Sequence, residues 1–228
     1  MYNGNKILGL IPARGGSKGI ARKNIIDVGG KPLIAWTIDE AAKSKYIDRL
    51  IVSSEDREII ETAVKYGCEA PFVRPAALAL DETPGIDPVI HAIETVAGYD
   101  YVVLLQPTSP LRLAEDIDCC IEACFEASAD SSVSVAPVAE HPYLMFKTLA
   151  GGRLSPLYNE KPIRRQDLPA FYILNGAVYV ARCDWLKKSR SFTGGNTVAY
   201  IMPRERSLDL DTKHDLMILN AVINSMSR

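Results

Sequence analysis

The 228-residue chain has no apolar run approaching the ~18 residues of a membrane span, and residues 1–6 are too polar to open a signal peptide. A cytoplasmic protein with no membrane partner is expected. It also lacks an excess of either charge: 26 Lys+Arg against 28 Asp+Glu leave a net charge of −2, which excludes bulk attraction to nucleic acid or anionic lipid. Cysteine is sparse and unpatterned. Cys68, Cys119, Cys120, Cys124 and Cys183 form no CxxC pair, so neither a disulfide framework nor a zinc ribbon is indicated, and buried reduced thiols are expected. The three histidines, His91, His141 and His214, are scattered and suggest no Ser/His/Asp or Cys/His order. Aromatics make up 7% of the residues and carry no RNA-binding signature. What remains, 47% apolar and 24% charged, suits one globular domain over residues 1–228.

Along the chain, short aliphatic runs alternate with helical patterns. Strands are predicted at 6–12, 49–53, 101–106 and 132–138, and helices at 32–44, 55–66 (closed by Gly67), 86–97 and 114–127. This alternation implies βαβ units and a Rossmann-like, three-layer α/β fold with a mostly parallel sheet. The period is lost over residues 140–174, where prolines, Gly151-Gly152, aromatics and Arg164-Arg165 mix. This stretch reads as an excursion that packs on a second subunit. Strands at 176–181 and 198–202 and a helix at 212–224 follow.

Four segments carry candidate chemistry. The loop after the first strand, Ile11-Pro-Ala-Arg-Gly-Gly-Ser-Lys-Gly-Ile-Ala-Arg-Lys-Asn24, combines glycines, which admit close phosphate approach, with Arg14, Lys18, Arg22 and Lys23. An anionic ligand fits it, although neither GxGxxG nor a P-loop ending is present; a solvated basic turn is the alternative. In Ser207-Leu-Asp-Leu-Asp211 the acids fall at period two, so Asp209 and Asp211 share one side of an extended chain. Converging carboxylates call for a cation, with Mg²⁺ expected. Helix capping, the competing account, explains Asp215 better than Asp209 and Asp211. Gln106 ends an apolar strand ahead of Pro107 and Pro110, where it serves either a polar ligand or a strand-terminating turn. Arg74-Pro75 contacts a nucleotide or is merely a loop.

In this order, the loop at 11–19 with Lys23-Asn24, then Arg74-Pro75, Leu105-Gln-Pro-Thr-Ser-Pro-Leu-Arg112, Arg164-Arg-Gln-Asp-Leu-Pro169, Asn175-Gly176 and Asp209-Leu-Asp-Thr212, the chain resembles the acylneuraminate cytidylyltransferases. The resemblance covers residues 6–223. It implies attack by the anomeric 2-hydroxyl of a nine-carbon 2-keto sugar acid on the α-phosphate of CTP, releasing pyrophosphate. It further implies that Ala13, Arg14, Gly16, Ser17, Lys23, Asn24 and Arg74 hold CTP, and that Gln106 and Asn175 contact the sugar. Arg164 and Arg165 would reach a partner's site in a homodimer, Asp209 and Asp211 would bind Mg²⁺, and Arg14, Lys23 and Asp211 would be catalytic. Among the sugars such enzymes use, the apolar Tyr172-Ile173-Leu174 ahead of Asn175 favours diacetyllegionaminate slightly over N-acetylneuraminate, because an apolar pocket penalises a buried hydroxyl without partners. Pseudaminate is the alternative substrate, and a non-catalytic sugar-nucleotide binding protein the alternative of another class.

Overall fold

The computed structural model describes residues 1–17, 19–158 and 168–226. A six-stranded sheet is built from β1 (Ile7–Pro12), β4 (Arg49–Ser53), β5 (Tyr101–Leu104), β6 (Ser131–Pro137), β9 (Tyr172–Arg182) and β10 (Thr197–Ile201), in the order β10-β6-β9-β5-β1-β4. β4, β1 and β5 pair in parallel, as do β6 and β10, and β9 runs antiparallel between β5 and β6. Parallel strands need covered faces, which explains why β1 reads Ile-Leu-Gly-Leu-Ile-Pro with no polar alternation and is buried almost throughout.

Helices cover both faces. α1 (Leu33–Ala41), α2 (Arg57–Lys65) and α4 (Ala114–Glu126) place Ile34, Ile38, Ile59, Ile117 and Ile121 on one side of the sheet. α3 (Asp87–Thr95) and α5 (Cys183–Ser189) place Val89, Ile93 and Leu186 on the other. A third, smaller core joins Leu219 and Ile223 of α6 (Lys213–Met226) to Val28, Leu33, Ile20 and Leu210. Val28 belongs to a short ribbon, β2 (Asp27–Val28) with β3 (Lys31–Pro32). The α/β reading of the sequence is thus confirmed as a mostly parallel, three-layer architecture. All five cysteines are free, and burial pushes the thiols of Cys68, Cys120 and Cys183 up to about 12.

Two features depart from the sequence pattern. α5 was not anticipated, because seven residues give too short a period to recognise. The excursion contains a hairpin, β7 (Phe146–Thr148) with β8 (Leu154–Pro156), and ends earlier than expected: Tyr172, Ile173 and Leu174 already pair with Pro137, Ala136 and Val135 of the central sheet. Between Val133 and Val135 the β6·β9 register shifts, and opposite it Gly176 takes φ +73°. This irregularity ends the regular ladder beside the strand ends where ligands bind in open α/β sheets.

Candidate active site

A cleft of about 470 Å³ opens at the carboxyl ends of β1 and β5. Its floor and one wall come from the glycine loop. Ala13 N–H donates to the Ser53 carbonyl at 3.0 Å and Gly15 N–H to Glu55 Oε1 at 2.7 Å, which lays the loop against the end of β4. A Cβ on Gly15 would meet Asp56 Oδ2 at 2.5 Å, so a larger residue would push the loop off α2. Arg22, in the left-handed region at φ 54°, pairs with Asp56 and Glu58, and the hydrogen bond to Asp56 holds its guanidinium well above the ordinary range. The short turn Lys23–Ile25 follows. It aims Lys23 Nζ at the Leu210 carbonyl, 2.9 Å, and at Asp211 Oδ1, 3.1 Å, and it buries Asn24, whose amide donates to the Arg14 carbonyl at 2.9 Å.

Two arginines line the cleft. Arg14 pairs with Asp81 at 2.8 Å. Arg74 is 4% exposed, its Nε donates to Ser53 Oγ at 3.1 Å and a second nitrogen donates to the Ser53 carbonyl. Desolvation lowers its pKa, the nearby Glu55 opposes that shift, and Arg14 adds to it. A buried cation bonded to neutral groups at a cleft wall presents its charge to whatever anion enters.

The acidic segment closes the cleft from below. Leu210 is fully buried while Asp209 and Asp211 on either side are exposed, as the period-two pattern requires. Leu210 N–H donates to the Thr108 carbonyl at 2.8 Å, and a Cβ on Gly19 would stand 2.4 Å from the Asp211 carbonyl oxygen. The glycine loop and the acidic segment therefore touch backbone to backbone. A Cβ on Gly176 would lie 3.0 Å from Gln106 Oε1 and 3.7 Å from Asp209 Oδ2, so the two side chains converge over that glycine. Asp209 is solvent-accessible as a residue, but its carboxylate is hemmed in. Burial raises its pKa, the Thr108 hydroxyl counters this, Asp211 raises it further and Lys23 lowers it.

Two oxygen-donor carboxylates that repel each other fit a hard cation completing its shell with water and phosphate oxygens, the habit of Mg²⁺. Among the described residues no group of three or more His, Cys, Asp or Glu side chains adds further ligands.

Of the residues singled out in the sequence, Arg14, Ser17, Lys23, Asn24, Arg74, Gln106 and Asp211 line the cleft. Ala13 and Gly16 belong to the loop but not to the wall, and Asp209 stands beside Gln106 over Gly176. Arg164 and Arg165 lie outside the described residues. Asn175 is 5% exposed and does not line the cleft; its carboxamide bonds within the protein, to Ser134, Ser207 and the Ala177 N–H. Tyr172, Ile173 and Leu174 are exposed and stand off the wall of this chain's cleft. Leu78 and Leu80, which carried no sequence signal, line the cleft together with Asp81 and Thr83.

A basic glycine loop after β1, an acidic segment packed against it and a cleft at the strand ends define an α/β protein whose site suits a phosphate-bearing ligand. The Cytidylyltransferase family model matches residues 8–172, and the chain belongs to that family. It is 38% identical over 218 residues to the pseudaminic acid cytidylyltransferase of Campylobacter jejuni subsp. jejuni, covering 92% of this chain and 93% of the relative. It is 34% identical over 221 residues to the CMP-N,N'-diacetyllegionaminic acid synthase of Legionella pneumophila, covering 92% and 93%. It is also 34% identical to an N-acylneuraminate cytidylyltransferase of Streptococcus agalactiae, covering 91% of this chain and 51% of that protein. Among solved structures, a CMP:2-keto-3-deoxy-manno-octonic acid synthetase complexed with CTP superposes with a TM-score of 0.75 at 16% identity, over 97% of this chain and 99% of the other, a likeness of fold.

Proposed function

We propose that the chain transfers the cytidylyl group of CTP to the anomeric hydroxyl of a nine-carbon 2-keto sugar acid, with Mg²⁺ as cofactor and a second copy of the chain as partner, in the cytoplasm. The observation that carries this reading is the convergence of Arg14, Lys23, Asn24, Arg74, Gln106 and Asp211, drawn from four separate segments, on one cleft. Displacement at phosphorus needs positioned reactants and neutralised charge more than a proton-transfer residue. Lys23 and Arg14 line the cleft and would serve a triphosphate's negative oxygens, each exchanging a carboxylate, Asp211 or Asp81, for phosphate on binding. Asn24 and Arg74 fix the nucleotide end, and Gln106 offers a donor and an acceptor to sugar hydroxyls. Asp209 and Asp211 would hold Mg²⁺, whose charge makes the attacking hydroxyl more acidic and stabilises the departing pyrophosphate.

The excursion supports the homodimer. Leu144, Met145, Phe146, Leu149, Leu154 and Leu157, with Tyr172, Ile173 and Leu174, expose an apolar surface of a kind that marks a protein interface. By the resemblance, Arg164 and Arg165 then act in the partner's cleft.

For the sugar, 38% identity over nearly the full length of a pseudaminate enzyme favours pseudaminate over diacetyllegionaminate. The test is pyrophosphate release with CTP and Mg²⁺, comparing kcat/KM for pseudaminate, diacetyllegionaminate, N-acetylneuraminate and octulosonate. Highest kcat/KM for pseudaminate is expected. Preference for another nine-carbon acid would overturn that choice, and silence with all four would overturn the enzymatic reading.

A further inference from the structure

Besides Lys23 and Thr108, the acidic segment is held by groups outside the cleft wall. Immediately before it, Arg206 donates through Nε and a terminal nitrogen to the two oxygens of Asp116, at 2.9 and 2.6 Å. Asp116 is completely buried at the start of α4, where it also accepts from the Leu113 N–H at 2.9 Å and the Tyr200 hydroxyl at 3.1 Å. One residue later, Ser207 Oγ accepts from Asn175 Nδ2 at 3.0 Å and donates to the Pro203 carbonyl at 2.8 Å. The Asn175 oxygen in turn takes the Ser134 hydroxyl at 2.6 Å and the Ala177 N–H at 3.2 Å, bridging the irregularity in β9. Asp209 and Asp211 thus hang from a strand-borne carboxamide and a helix-borne carboxylate, both withdrawn from solvent.

We infer that Asn175 and the Asp116–Arg206 pair are positioning residues for Asp209 and Asp211: they act through Ser207 and Arg206 to set where the two cleft carboxylates stand, and Asn175 does so instead of touching the sugar. The inference rests on the proposed metal role of those acids. Two like charges kept together without a cation tend to splay, and a flexible segment would let them. A partner that fixes the chain two or three residues before Asp209 lowers the cost of assembling the site, as supporting groups behind a site's ligands do elsewhere. Asn175 has the stronger claim to this role because both of its amide functions are already bonded to protein groups.

The experiment uses full-length Ser207→Ala and Arg206→Lys. The first removes the Asn175 anchor without touching Asn175, and the second keeps the charge but not the two-point grip on Asp116. The Mg²⁺ concentration for half-maximal activity and the Mn²⁺ dissociation constant in the presence of CTP, from water-proton relaxation, should both rise about 10-fold, the low end for loss of an outer-shell partner. KM for the sugar at saturating metal should stay near wild type, and circular dichroism melts report whether each variant folds. Unchanged metal constants in folded variants would overturn the inference, as would a rise confined to the sugar KM, which would return Asn175 to the sugar. If Arg206→Lys fails to fold, Ser207→Ala alone carries the comparison. Asp211→Asn run alongside separates the two levels: full activity there would overturn the metal role itself, and this inference with it.

Discussion

Replacing Gly19 by alanine tests whether loop and acidic segment must touch for the site to work. The added Cβ would stand 2.4 Å from the Asp211 carbonyl oxygen, where ordinary contact begins at 3.4 Å, so the two backbones must part by about 1 Å. Neither side yields freely. Ile20 and Leu210 share one buried cluster, and Lys23 Nζ is bonded to the Leu210 carbonyl and Asp211 Oδ1. Overpacking of this sort costs about 1–3 kcal/mol, and a loop near solvent belongs at the low end, which is a fall of roughly 2–4 °C in Tm for a chain of this size. The larger effect falls on chemistry, because a ~1 Å displacement between the Lys23 side and the Asp211 side of the cleft costs on the order of 100-fold in rate. The assay is kcat/KM for pyrophosphate release beside a thermal melt, with Gly195→Ala as control, since a Cβ there meets nothing within 4 Å. Wild-type kcat/KM in Gly19→Ala would refute the requirement for backbone contact.

Two further outcomes follow from the same geometry. Burial and Asp211 hold Asp209 above its ordinary value of 3.8, so the native state keeps a proton there that the unfolded chain has lost. The sign is therefore that stability from this group falls as pH rises from about 3.8 through the raised value, and stays lowered above it. Metal-free Asp209→Asn should melt higher than wild type at neutral pH, with the gap closing in acid, and Mg²⁺ with CTP should stabilise only the wild type; equal melting at all pH values would contradict this. The exposed apolar surface gives the other: Leu154→Asp combined with Ile173→Asp should convert a dimer to a monomer by sedimentation equilibrium, whereas a wild type already monomeric would remove the interface.

Much of the fold was legible because its signals are local. The aliphatic run of β1, the apolar spacing of α1, α2 and α4 and the glycine closing α2 each depend on residues a few positions apart. The basic, glycine-rich character of the loop after β1 was readable for the same reason, and the burial of Leu210 between two exposed acids follows directly from a period of two. α5 escaped because seven residues offer less than two turns of pattern. The burial of Asn175 and the pairing of Tyr172, Ile173 and Leu174 in the central sheet escaped because a position next to a motif says nothing of which way its side chain points.

Local chemistry along the chain thus set which segments are strands, helices and charged loops, since periodicity and turn residues act over a few positions. Tertiary structure alone set the pairings: Arg206 with Asp116 across 90 residues, Lys23 with Asp211 across 188, and Arg14 with Asp81. It also turned Asn175 inward and drew Gln106 and Asp209 together over Gly176. Such pairings depend on which elements the sheet order brings side by side, and that order comes from burying two apolar faces at once, a property of the whole chain and of no single segment.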